Sequence, residues 1–164
     1  MKLTTPQPAR HPNPTTKAIA LAYLIFDRPD LDQAEHFLTD FGLRRAKKQS
    51  ELLFLRGTDT SPFCYVVRKA EKPGFGGLGL RVKKWEELEA LSRLEGASAV
   101  EPLEWPGGGY RVRLTDPSGF RVDAVHGQAM TQALPHRAVL PFNSTDAASR
   151  INQTQRPPAE APGV

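Results

Sequence analysis

The sequence predicts an α+β domain in which two βαβββ modules form a cup-shaped, mostly antiparallel sheet with the helices outside. Two observations carry that expectation. The order strand, helix, three strands is legible twice, in segments of about fifty residues, at about 18–69 and 77–127. The second segment closes on a hairpin, residues 110–126, whose turn chemistry and alternation define both strands. One such module alone exposes a sheet edge and a sheet face, so two together are needed to curl into a cup that helices cover.

In the first module, residues 19–26 are a β-branched and aromatic run that reads as a strand. Asp30 sits where a helix N-cap belongs, with Gln33 three residues on to complete a capping-box-like pattern. Leu31, Ala34, Phe37, Leu38 and Phe41 recur at helical spacing as one apolar stripe, and Gly42 is a natural C′ residue. Three short strands follow, around 43–46, 51–56 and 62–68, with residues 57–61 as the turn between the last two.

The second module repeats the order. Residues 77–82 read as a strand, and Trp85, Leu88, Leu91 and Leu94 give a helix face that Gly96 stops. Strands at 97–103, 110–114 and 120–125 follow, punctuated by Pro106-Gly107-Gly108-Gly109. The glycines between Gly74 and Gly79 read as a connector between modules, because no helix N-terminus directly follows them as a phosphate loop requires. In the closing hairpin, Asp116 bonds back to the backbone, Pro117 presets φ and Gly119 accepts positive φ. Tyr110, Val112, Leu114, Phe120, Val122 and Ala124 then share one face, and Arg111, Arg113, Arg121 and Asp123 share the other.

Composition bounds the function. Hydrophobic residues are 39% of the chain, and the polar excess lies at the ends: residues 1–16 read as a flexible leader and 128–164 as a linker-like tail. The net charge of +4 also lies there, about +3 on Lys2, Arg10 and Lys17 and about +1 on the tail, which leaves 18–127 neutral. A nucleic-acid module concentrates its positive charge on the fold, so no nucleic-acid partner is expected. No apolar run approaches a membrane span and no secretory signal is visible. Cys64 is the only cysteine. That points to a reducing, cytoplasmic setting, with Cys64 itself a small buried hydrophobe.

Residues 23–43 resemble the opening of a vicinal-oxygen-chelate module, as in glyoxalases, bleomycin-resistance proteins and extradiol ring-cleavage dioxygenases, and residues 116–123 resemble that family's closing hairpin. The resemblance covers about 18–127. Residues 55–65 and 106–109 look most like the amino-terminal half of two-domain extradiol dioxygenases, and Arg156-Pro157-Pro158 resembles the linker before the second, iron-binding pair of modules. The resemblance implies a complete enzyme that uses Fe(II) to open a catechol ring, with a small aromatic substrate. For this chain it implies no cofactor and a structural or assembly role, beside a second vicinal-oxygen-chelate domain or in a homodimer.

Where the family's metal-binding modules place a His, this chain has Tyr23 and, in the second module, Gly77; only Asp123 occupies a ligand-like place. Those residues are too few for a 2-His-1-carboxylate iron site. The expectation is that Tyr23 and Asp123 hydrogen-bond each other, or Arg111 or Arg121, because an inward acid must find a partner. An alternative is a stand-alone small-molecule-binding module whose cup is lined by Tyr23, Tyr65, Arg111, Arg121, Asp123 and His126. A glyoxalase-type metal isomerase with ligands completed across a dimer is a third reading, which Gly77 opposes. His11, His36 and His136 lack ligand spacing.

Overall fold

The computed structural model describes residues 12–136 and 160–161. The expected flexibility of 1–11 and of most of the tail falls outside those residues. The elements follow in the order β1 (Ala20–Arg28), α1 (Leu31–Asp40), β2 (Arg44–Lys48), β3 (Leu52–Arg56), β4 (Tyr65–Lys69), β5 (Gly74–Arg81), α2 (Trp85–Ser92), β6 (Glu101–Pro102), β7 (Tyr110–Thr115) and β8 (Arg121–His126).

Strand–helix–three strands, twice over, is the expected arrangement. All eight strands form one mixed, open sheet in the order β2-β3-β4-β1-β5-β8-β7-β6. Each module contributes four strands and places its first strand innermost. There β1 runs parallel to β4, β5 runs parallel to β8, and the modules join through the antiparallel pair β1–β5. The remaining pairs are antiparallel.

Alternation along the strands divides the core. Leu53, Leu55 and Val67 pack under α1 with Leu31, Leu38 and Leu43. Val112 and Ala124 pack under α2 with Val82, Leu88 and Leu91. The opposite face, the cup face, gathers Tyr23, Ile25, Phe54, Phe63, Val66, Leu103 and Val125, with Trp105 against them.

The helix ends follow their chemistry. Asp30 accepts from the N–H groups of Asp32 (2.8 Å) and Gln33 (3.0 Å) as N-cap of α1, and Gly42 takes φ +104 just past its end. At α2 the reach is reversed: the Glu87 carboxylate accepts from the N–H groups of Lys83 and Lys84.

Three expectations change. Only half of the α1 stripe is buried, since Phe37 and Phe41 are 61% and 70% exposed and pack on each other at 5.7 Å. A ten-residue helix lying across three strands covers them with Leu31 and Leu38, helped by the half-buried Ala34. The glycines expected as a connector are strand instead, because β5 begins at Gly74. A Cβ at Gly76 would stand 2.9 Å from Ile25 Cγ2, so the close approach of β1 requires glycine there. The strand expected at 97–103 shrinks to Glu101–Pro102, Pro102 having no N–H for the ladder, although Ser98 still exchanges bonds with Arg113.

Past Gly127, where the tail is expected to begin, the chain runs back over the first module. Ala129 N–H donates to Gly107 O, Thr131 N–H to Thr60 O and Leu134 N–H to Thr58 O, each at 2.8 Å. Arg56, 8% exposed, donates to the carbonyls of Gly57, Asp59 and Gln132 and to Thr131 Oγ1. Thr58 N–H also donates to Ala161 O at 3.1 Å.

Arg56→Met keeps the length and removes these donors, leaving the Gly57 carbonyl and the part-buried carbonyls of Asp59 and Gln132 without this partner. The expected cost is about 2–3 kcal/mol in urea unfolding, with new protease cleavage within 128–136. Unchanged stability and protection would show that this arginine does not hold the segment.

Candidate functional site

The register of the three central strands builds the site. Tyr23 on β1 pairs with Gly79 on β5, and Gly79 pairs with Asp123 on β8. Tyr23 and Asp123 are therefore two strands apart, about 10 Å between backbones, with only a glycine between them. The tyrosine ring lies across that gap: a Cβ at Gly79 would stand 2.5 Å from Tyr23 Cζ. Its hydroxyl donates to Asp123 Oδ2 at 2.8 Å, and neither residue is exposed to solvent (0% each).

Arg121, two residues before Asp123 on β8 and so on the same face, closes the other side. Its Nε donates to Oδ1 and its Nη2 to Oδ2, both at 2.8 Å, a bidentate pair. Arg111 on β7 adds a second guanidinium, with Nη1 3.8 Å from Asp123 Oδ2 and Nη2 3.6 Å from Glu101 Oε2. Arg113 Nε donates to Glu101 Oε1 at 2.6 Å. Arg111 also lies over the Trp105 ring, 5.1 Å from its centroid. Trp105 and Phe63 flank Tyr23 at 5.4 and 5.2 Å, and Phe54 packs against both, so aromatic rings fill the cup above the polar row.

Burial pushes the Tyr23 phenol far above its usual range, and the negative charge and hydrogen bond of Asp123 push the same way against Arg111 and Arg121. At Arg121 burial works against the charge, but the bond and charge of Asp123 outweigh it and raise the guanidinium above its ordinary value.

Four of the six candidate residues thus meet: Tyr23, Arg111, Arg121 and Asp123. Tyr65 and His126 do not line the cup. Tyr65 pairs with Leu24, the residue next to Tyr23, and so faces the helices, stacked on Phe26 at 5.1 Å. His126 is an odd number of residues from Asp123 and turns to the other face, its Nδ1 3.3 Å from Val82 O. His36 is exposed on α1, 3.7 Å from Asp40.

The sequence reading missed Gly79, Trp105, Phe63 and Glu101. The resemblance singles out Gly77, which pairs with Ile25, whereas the β1–β5 register, bulged at Ala22, sets Gly79 opposite Tyr23. Trp105, just before the Pro-Gly turn, was the available signal for the aromatic lid.

A divalent cation does not suit this donor set. The phenol keeps its proton and donates it, both Asp123 oxygens are committed to Arg121 and Tyr23, and Gly79 offers no ligand atom. Among the described residues no three His, Cys, Asp or Glu side chains come together as a metal group. The positive charge beside the buried acid is a guanidinium.

No protein-family model matches the chain, and no curated protein matches it. Solved structures do. The Mn(II)-bound glyoxalase from Novosphingobium aromaticivorans superposes with a TM-score of 0.66 at 20% identity, over 74% of this chain and 43% of that one. Homoprotocatechuate 2,3-dioxygenase from Brevibacterium fuscum gives 0.65 at 18%, over 78% and 42%. The Arthrobacter globiformis enzyme of that name gives 0.62 at 21%, over 74% and 41%. The chain spans about two fifths of the length of these proteins. At such identities the likeness is one of fold, and it bears out the expected α+β architecture of paired βαβββ modules.

Gly79→Ala forces a methyl against the Tyr23 ring, so the ring must leave Asp123 or the strands must part. A loss of about 2–3 kcal/mol is expected in chemical unfolding; a loss within about 0.5 kcal/mol would show the ring free to move. Alkaline titration provides a second check. Folded Tyr23 holds its proton where the unfolded phenol loses it, near pH 10. Unfolding then releases a proton, and stability falls as pH rises above that value. In Tyr23→Phe this part of the slope should vanish; an unchanged slope would contradict the assignment.

Proposed function

We propose that this chain is a metal-free structural domain of an extradiol dioxygenase-like protein, amino-terminal to a second pair of modules that carries the Fe(II) site. The observation that supports this reading most is Arg121: a guanidinium from the same hairpin neutralises the one acid in a ligand-like position. In the complete protein, ring opening of a small catechol would belong to the second pair, and no step of it passes through the cup described here. The role of this chain is to shape and hold that assembly, with the second domain or another copy as partner.

The filled cup weighs against its use as a ligand site, since Tyr23 and Asp123 are sealed beneath Phe63 and Trp105. Gly79 weighs against a glyoxalase-type isomerase. A cytoplasmic setting fits the single cysteine, whose thiol pKa is raised by burial. Among the described residues no helix is long and apolar enough to cross a membrane.

Elemental analysis tests the reading directly. Protein purified without chelator, and protein incubated anaerobically with Fe(II) or Mn(II) and desalted, should both carry far less than one metal per chain. A stoichiometric metal that disappears in Asp123→Ala would overturn the proposal.

A further inference from the structure

On the helix face, opposite the cup, a cleft of about 290 Å³ opens between α1 and β4, with Arg28 from the end of β1 at its mouth. Ala34, Phe37 and Leu38 form one wall, and Tyr65 and Val67 form the other. Its volume is near the lower end of small-molecule pockets, and such sites are apolar with a few convergent polar groups. Here two such groups are uncommitted. Among the described residues the Tyr65 hydroxyl has no hydrogen-bond partner, its ring being held by the stack on Phe26. Arg28 lies over the same Phe26 ring, 5.5 Å from the centroid, and donates once, to its neighbour Asp27 O at 2.7 Å.

Among the described residues no carboxylate pairs with Arg28, nor with Arg44, Arg56, Arg81 or Arg93, whereas Arg45, Arg68, Arg111, Arg113 and Arg121 each have one; of the unpaired arginines only Arg28 lines this cleft. The adjacent acid, Asp27, gives both oxygens to Arg68. The influence of Arg28 reaches Tyr65, lowering a phenol pKa that burial otherwise raises. Asp30 stands at the rim and uses Oδ1 to cap α1; its charge opposes a second negative charge on any ligand.

We infer that this cleft binds a small amphipathic monocarboxylate, with its carboxylate on Arg28 and the Tyr65 hydroxyl and its apolar body against Phe37, Leu38 and Val67. A guanidinium and a phenol match a planar monoanion. The inference is independent of the metal-free reading of the cup, so either can fail alone.

The test is a titration of the full ¹⁵N-labelled chain with octanoate, followed by NMR. Saturable amide shifts are expected at Phe37, Tyr65 and Val67. Arg28→Gln should weaken binding about tenfold and Tyr65→Phe several-fold, and Ala34→Phe should fill the cleft and abolish it. Octanamide, neutral, and octyl phosphate, a dianion, should both bind more weakly than octanoate. The inference fails if no saturable shift appears up to the solubility of octanoate, if Arg28→Gln binds as the parent does, or if octanamide matches octanoate. Tighter binding of octyl phosphate would overturn the carboxylate assignment. The fingerprint spectrum of each variant reports whether it is folded.

Discussion

A carboxylate that water cannot reach is the constraint from which the centre of this molecule follows. Asp123 is fully buried, and an isolated charge there would cost many kilocalories per mole. Arg121 answers it from the same strand, because the two-residue period sets both side chains on one face. Tyr23 answers from two strands away, which is open to it only because Gly79 leaves the intervening strand bare. Phe63 and Trp105 then exclude solvent from the row, and Trp105 receives the Arg111 guanidinium. One acid thereby couples β1, β5, β7 and β8. The magnitudes indicate what the coupling does. A buried ion pair adds little net stability over an apolar replacement, yet losing one partner costs about 3–5 kcal/mol. A slip of one residue between β5 and β8 would leave Arg121 on Asp123 but carry the acid away from the Tyr23 hydroxyl, losing a buried hydrogen bond at about 1–3 kcal/mol, so the network specifies register more than it adds stability.

The two modules share one connectivity but cannot share one sequence at their junction. Residues facing across an antiparallel pair stand about 5 Å apart, and the ring of Tyr23 occupies the space over both strands. A large residue at Gly79 would compete for the same volume. The two halves therefore complement each other at this position, a large side chain on β1 against none on β5, where exact repetition would clash. Gly76, pressed against Ile25, shows the same division one turn of the pleat away. The glycine content of β5 is thus a consequence of what β1 carries.

Local chemistry was legible in the sequence, and geometry between distant segments was not. The Asp30 cap, the Gly42 terminator and the faces of the closing hairpin depend on neighbours within a few residues, and each is found as read. The partner of the buried acid was legible too, because an inward Asp beside Arg121 has few ways to be satisfied. Tyr65 was misplaced because its face depends on how β4 pairs with β1, and Gly79 was passed over because which β5 residue faces Tyr23 depends on how the two modules join, which neither strand shows alone. The exposure of Phe37 and Phe41 reflects how far a short helix extends over the sheet, which periodicity does not encode. Residues 128–134 carry no apolar pattern, since main-chain bonds and Arg56 hold them.

Arg56 and Asp123 are two solutions to one problem. Asp123 is neutralised by opposite charge, whereas Arg56 is held by carbonyl dipoles and a hydroxyl, with no acid in contact among the described residues. The difference follows from the groups themselves. A guanidinium is more weakly hydrated and offers five donors in a fixed fork, so carbonyls at loop ends can satisfy it. A carboxylate is a compact charge that accepts only, and with Tyr23 as its one neutral donor it still needs a cation. Arg56 can therefore fasten an irregular segment to the 57–61 loop, a place without regular strands. Asp123 requires the flat, periodic surface of the sheet, where Arg121 and Arg111 arrive by alternation. The cup face sets its charges against one another, although Nε and Nη1 of Arg111 are buried there without a hydrogen-bond partner among the described residues, and the helix face, through Arg28 and Tyr65, holds donors to spare beside an open cleft.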